Sequence, residues 1–221
     1  MSMTNSKMMK RLSLMFCTIL ALNVLSAQST SGMERVFYDD FKNNKNGWFT
    51  SMSGSNKSKV SNDQKFLVID VNDNGSIERS WANTSIDFNR DFVLKARIKS
   101  ENADDKGDNY FGFLIGLSNI KYMNEQGWYG FRLYNNERKA RLYASKDDGV
   151  EFFKRVIQRP TAYDPREYNE ITIERKNGMM AFYLNETEIY TNDATTTASG
   201  TIVFEARNKQ VAYLKEIEVY Q

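Results

Sequence analysis

The sequence predicts an all-β chain folded as a two-sheet antiparallel jelly-roll sandwich, and three observations predict it. About a dozen runs alternate apolar and polar residues with a period of two, with almost no helical spacing. Turn-forming stretches such as "NDNG" at 72–75, "KDDG" at 146–149 and "KNG" at 176–178 fall between those runs, where asparagine and glycine tolerate positive φ. Strands do not alternate with helices, which argues for two packed antiparallel sheets over a parallel sheet with crossovers.

The elements follow in chain order. The first 27 residues have a basic start (Lys7, Lys10, Arg11), an apolar run from Leu12 to Leu25 and small residues Ser26 and Ala27, the pattern of a secretory signal peptide. The apolar run is short for a bilayer span, and Cys17 lies inside it instead of at a lipidation point. A flexible stretch, 28–32, leads into a single β-sandwich domain, 33–221. Its runs are "RVFYDDF", "KFLVIDV", "SIERSW", "DFVLKARIKS", "NYFGFLIGLS", "GWYGFRLY", "KARLYAS", "EFFKRVIQ", "NEITIERKNG", "MMAFYLNETEIYT", "GTIVFEAR" and "VAYLKEIEVYQ". No internal repeat and no second composition regime divides them.

Charge and residue inventory narrow the chemistry. The 30 Lys and Arg less the three of the signal leave 27 against 28 Asp and Glu, a mature net charge of −1. A near-neutral chain has no overall attraction for nucleic acid or anionic membrane. The one cysteine leaves with the signal, and the chain has no histidine. Histidine-dependent hydrolases and zinc sites of histidine and cysteine are therefore excluded, so carboxylates, lysine, tyrosine or an oxygen-ligated cation must carry any chemistry. An exported chain without disulfides suits a bacterial periplasm or cell surface.

The stretch "YNEITIERKNGMMAFYLNETEIYT" resembles the hairpin of laminin G-like and concanavalin A-like domains, where a strand of the form Tyr-Asn-x-Ile-x-Ile turns through Asn-Gly into a second apolar strand. "FYDDFKNNKNGW" and "VAYLKEIEVYQ" resemble the opening and closing strands, which pair in that fold. The resemblance implies carbohydrate uptake on an outer sheet face or rim. Glycoside hydrolase family 16 shares the fold and uses a strand E-x-D-x-E. Glu170 and Glu174 match its two glutamates, and Thr172 stands where its aspartate would be. A threonine cannot help hold two carboxylates at different pKa values. The competing reading is a plain hairpin, with Ile171 and Ile173 in the core and Glu170, Thr172 and Glu174 in water. If the protein is an enzyme, Glu170 and Glu174 are its catalytic candidates.

Alternation also yields a candidate binding face. With Phe92, Leu94, Ala96, Ile98, Phe111, Phe113, Ile115, Phe131, Leu133 and Leu142 in the core, the opposite side receives Lys95, Arg97, Lys99, Tyr110, Trp128, Arg132, Tyr134, Arg141 and Tyr143. Aromatic rings beside guanidinium forks suit a sugar, through its C–H faces and its hydroxyls or carboxylates. The ligand-binding candidates are Arg97, Trp128, Arg132, Tyr134, Arg141 and Tyr143. The competing reading is a solvated face, or one covered by another surface protein. The loop "ENADDKGDN" groups Asp104, Asp105 and Asp108 as weak candidates for Ca²⁺, without EF-hand spacing. The Asn-x-Ser/Thr sequences at Asn56, Asn74, Asn83 and Asn185 are incidental in a bacterial protein. The expected function is non-catalytic, lectin-like recognition of a glycan, the alternatives being a family 16-related hydrolase or an adhesion subunit.

Overall fold

A computed structural model describes residues 30–51, 54–101, 103, 108–118, 127–146, 151–198 and 200–221. The expected signal peptide, residues 28 and 29, and Asp104 and Asp105 lie outside the described residues. The chain divides into two compact units, Met1–Glu34 and Arg35–Gln221. Of the first unit only residues 30–34 are described, a turn and two residues beyond it.

Among the described residues the second unit contains fourteen strands: β1 Arg35–Asp39, β2 Lys57–Ser61, β3 Phe66–Val71, β4 Ile77–Ala82, β5 Phe92–Glu101, β6 Tyr110–Leu117, β7 Trp128–Tyr134, β8 Lys139–Ser145, β9 Glu151–Gln158, β10 Asn169–Lys176, β11 Met179–Leu184, β12 Thr187–Asp193, β13 Thr201–Arg207 and β14 Gln210–Tyr220. They form an eight-stranded antiparallel sheet, in the order β12-β11-β10-β5-β14-β3-β2 with β1 added to β14, and a six-stranded sheet, β4-β13-β6-β7-β8-β9. The opening and closing strands pair, Tyr38 opposite Glu218 and Asp39 opposite Ile217. Among the described residues no helix is long and apolar enough to cross a membrane.

Two strands exceed the sequence expectation. β2, "KSKVS", is too polar for alternation to reveal, and its lysines suit a sheet edge that must not recruit another chain. The run "MMAFYLNETEIYT" is two strands, because Asn185 and Glu186 both take positive φ and turn the chain back. At "KNG", Asn177 (φ 52°) and Gly178 (φ 77°) make the left-handed pair that a tight β10–β11 hairpin requires.

The core lies between the sheets. Phe92, Leu94, Ala96 and Ile98 of β5 meet Phe111, Phe113, Ile115, Phe131, Leu133 and Leu142 of the other sheet, all fully or nearly fully buried. Phe131 and Phe182 stand edge to face across the gap, 6.1 Å between centroids. Each such side chain contributes about 1.5–3 kcal/mol on burial. Register decides which residues reach the core, because a slip of one residue would exchange the two faces. In β14 a bulge between Leu214 and Glu216 resets the alternation, so Leu214 and Ile217, three positions apart, both point inward.

Candidate functional site

The outward residues of the six-stranded sheet are aligned by pairing into rows. One row runs Trp81, Val203, Leu114, Gly130, Tyr143 and Lys154 from β4 to β9. The next runs Arg79, Glu205, Gly112, Arg132, Arg141 and Val156, and a third Ile77, Arg207, Tyr110, Tyr134, Lys139 and Gln158. An apolar stripe therefore lies beside a stripe of arginines.

The apolar stripe is built by small residues letting large ones lie down. Leu114, Leu117 and Val203 form a buried cluster outside the main core, with Trp81 and Trp128 packed on it. A Cβ on Gly130 would stand 2.9 Å from the Trp128 ring and 3.1 Å from Leu114, so only glycine leaves room for the indole across the sheet. Trp128 and Tyr143 sit 6.2 Å apart, tilted by 41°. At the far end Phe49, half exposed, stacks on Trp81 with centroids 3.9 Å apart.

The polar stripe centres on Glu205, whose side chain is wholly buried. Arg132 Nε donates to one of its oxygens at 2.6 Å and Arg79 Nε to the other at 2.9 Å. The Arg132 guanidinium lies 4.4 Å over the Tyr110 ring and 5.0 Å from that of Tyr143. Burial pulls the Arg132 pKa down, but the Glu205 charge more than offsets this and the net direction is upward. Burial, followed by the charge of Glu205, pushes the Tyr110 hydroxyl up to about 12. Arg141 and Lys139 stack on Tyr134, at 4.6 and 4.4 Å, and burial raises the Tyr134 pKa. These tyrosines are neutral at physiological pH, and the guanidiniums are held flat by rings beneath them.

Of the ligand-binding candidates, Trp128, Arg132, Tyr134, Arg141 and Tyr143 come together on this face. Arg97 does not. With Lys95 and Lys99 it belongs to β5 of the eight-stranded sheet, so the expected single face is corrected to two, on opposite sides of the sandwich. The physical reason is the β5–β6 connection, which passes from one sheet to the other instead of closing a hairpin. Residues of the same parity then point away from the core in opposite directions. Glu205, Arg79, Arg207 and Trp81 were missed because β4 and β13 join β6 only through contacts distant in sequence. "IERSW" and "TIVFEAR" alternate as clearly as the other runs, but alternation does not name a strand's neighbour.

Glu170 and Glu174 also stand on the eight-stranded sheet, pointing outward from β10 while Ile171 and Ile173 are buried. The register around them is continuous, which sets their Cα atoms about 13 Å apart. They have different surroundings. Glu170 is opposite Arg97, and burial pushes its carboxyl above the usual range, against the charge of Lys95. Glu174 is 9% exposed and accepts the Tyr183 hydroxyl, whose pKa burial and the charges of Glu174 and Glu188 push up to about 12. A groove lined by Lys95, Ala96, Arg97, Glu170, Glu216 and Glu218 encloses about 60 Å³. Ligand pockets start at about 300 Å³, so this groove takes waters or one side group and not a sugar ring.

Of the Ca²⁺ candidates, Asp108 is described, with an oxygen 3.8 Å from Lys139 Nζ. Among the described residues no three carboxylates cluster to hold a metal.

No protein-family model matches the chain, and no curated protein matches it. Solved structures do. The Bacillus licheniformis β-glucanase superposes with a TM-score of 0.62 at 10% identity, over 83% of this chain and 96% of that one. The GH16 protein of the Bacteroides ovatus mixed linkage glucan PUL, solved with a G4G4G3G product, gives 0.63 at 11% identity, over 83% and 99%. The carbohydrate binding module CBM66 from Bacillus subtilis gives 0.53 at 12% identity, over 77% and 94%. At such identities the likeness is one of fold, and the two-sheet sandwich described above is a concanavalin A-like jelly roll.

Proposed function

We propose that this protein engages a polysaccharide, and that the sugar chain lies across the outer face of the six-stranded sheet. The observation that carries this reading is the adjacency of the two stripes. Trp128 and Tyr143 offer flat apolar surface, and the Arg79–Glu205–Arg132 chain and Arg141 run parallel to it one residue away. A pyranose has the same two-sidedness, with axial C–H groups on its faces and hydroxyls at its rim. Gly112 lets β6 and β7 approach, since a Cβ there would overlap the Phe131 carbonyl oxygen.

A second reading, a glycoside hydrolase related to family 16, is favoured by the comparisons over a purely lectin-like role: several similar structures carry glucanase names, beside a carbohydrate binding module. Its catalytic candidates are Glu170 and Glu174, and they sit on the sheet opposite the aromatic stripe. Within the arginine row, the strand carboxylate is Glu205, locked by two guanidiniums and closed to solvent. One experiment addresses both readings. The protein is incubated with mixed-linkage β-glucan and with laminarin, and both bound polysaccharide and new reducing ends are measured for the parent chain, Trp128→Ala and the double substitution Glu170→Gln, Glu174→Gln. Binding lost in Trp128→Ala supports the face. Reducing ends that appear with the parent and vanish with the double substitution make the protein a hydrolase.

A further inference from the structure

The same face has an electrostatic character that alternation alone does not require. Outward from the six-stranded sheet stand Arg79, Arg132, Arg141, Arg207, Lys139 and Lys154. Their described carboxylate partners are few. Glu205 takes Arg79 and Arg132 together, and Lys139 takes Glu137 and Asp108 at the rim. Arg141, Arg207 and Lys154 form no ion pair among the described residues. In addition, the Nε atoms of Arg141 and of Arg207 are buried with no hydrogen-bond acceptor among the described residues. A buried N–H without an acceptor is a cost that a structure keeps rarely, and here two such donors belong to cations on one face.

The cationic character extends past the sheet edge. The turn between β7 and β8, next to Lys139, borders a groove of about 530 Å³ lined by Asn136, Glu137, Arg138, Arg159, Thr161 and Tyr163. Its volume lies within the range of ligand sites, and it adds two exposed arginines to the end of the row. The rest of the molecule shows no such excess, since the whole chain has 30 basic and 28 acidic side chains.

We infer that the polysaccharide held here is a polyuronate, whose ring carboxylates meet the Arg141 and Arg207 guanidiniums while its C–H faces lie on Trp128 and Tyr143. This rests on the polysaccharide reading above and names its ligand class. A guanidinium presents parallel N–H groups in a plane, and a carboxylate accepts them two at a time in the same plane. A neutral glucan offers only hydroxyls to those donors. It would leave the unmatched charges as they are.

The test is isothermal titration of the full chain with size-matched polygalacturonate, laminarin and dextran sulfate, a sulfated glucan without uronate, with polyphosphate as a sugar-free polyanion, at 50 and 200 mM salt. The expected result is binding of polygalacturonate about tenfold or more tighter than of laminarin, weakening as salt rises. Arg141→Gln and Arg207→Gln should each weaken polygalacturonate about fivefold or more, and Arg207→Gln should do so while leaving laminarin binding and the melting temperature near those of the parent. Lys99→Gln, on the opposite sheet, should change neither. Laminarin bound as tightly as polygalacturonate would overturn the inference and leave the polysaccharide face standing. Absence of binding to any polysaccharide would overturn both. Equal or tighter binding of polyphosphate or dextran sulfate would also overturn it, marking a surface that selects charge without selecting uronate.

Discussion

The two outer faces of this sandwich obey the same alternation and have opposite electrostatic designs. On the eight-stranded sheet, Lys95 and Arg97 alternate with Glu170, Glu216 and Glu218 across strand neighbours, Arg35 pairs with Glu218, and Lys99 with Glu101. Tyrosines fill the remaining valences, Tyr220 donating to Glu218 and Tyr213 to Glu101. Charge there is answered locally and largely in solvent. On the six-stranded sheet one buried glutamate answers two arginines, and Arg141 and Lys139 lie over the Tyr134 ring. The difference teaches that a self-neutralised face can be a solvated face, whereas on the other Arg141, Arg207 and Lys154 form no ion pair among the described residues.

The largest effect should come from breaking the buried centre of the arginine face. Glu205→Ala leaves Arg79 and Arg132 without their shared carboxylate. Denaturant unfolding should show a loss of about 3–5 kcal/mol. The matching change opposite, Glu218→Ala, removes a half-exposed pair and should cost no more than about 1 kcal/mol. Equal losses would erase the distinction between the faces.

Next comes Gly130→Val. The added side chain overlaps Trp128 and Leu114, and the melting curve should report about 1–3 kcal/mol of destabilisation. Polysaccharide binding should fall with it, because the indole is displaced. Trp128→Ala separates the two effects: it removes the platform without overpacking, and should weaken glycan binding by about 0.5–1.5 kcal/mol, up to about tenfold.

The smallest effect belongs to the other face and depends on pH. The Glu170 carboxyl has its pKa raised by burial, so its protonated form fits the fold better than its charged one. The stability this confers is present at pH values below the ordinary glutamate pKa of 4.5 and is lost as pH rises through the raised value. Glu170→Gln should therefore gain on the parent by under about 1 kcal/mol at pH 7, and the gain should disappear at pH 4. Thermal melts at the two pH values would show it. A gain that persists at pH 4 would mean that the carboxyl's charge is not what matters there.

Most of the fold was legible in the sequence because period-two alternation reports directly which residues face a core. The β10–β11 hairpin was legible for a further reason, the Asn177-Gly178 pair that its turn demands. β2 escaped because a lysine-bearing edge strand has only one neighbour and little apolar signal. The candidate residues could be named one by one, but which of them share a face could not. Trp128, Arg132 and Tyr143 share a face because β7 and β8 are a hairpin, which is local information. Arg97 leaves them, and Glu205 joins them, through sheet topology that alternation does not encode.

Backbone amide shifts on titration with polysaccharide test the central claim most directly, because the two faces belong to different strands. The account predicts that the perturbed amides cluster on β6, β7, β8 and β13, around Leu114, Gly130, Arg132, Tyr143 and Glu205. Perturbations centred on β5, β10 and β14, around Arg97, Glu170 and Glu216, would contradict it and move the site to the opposite sheet.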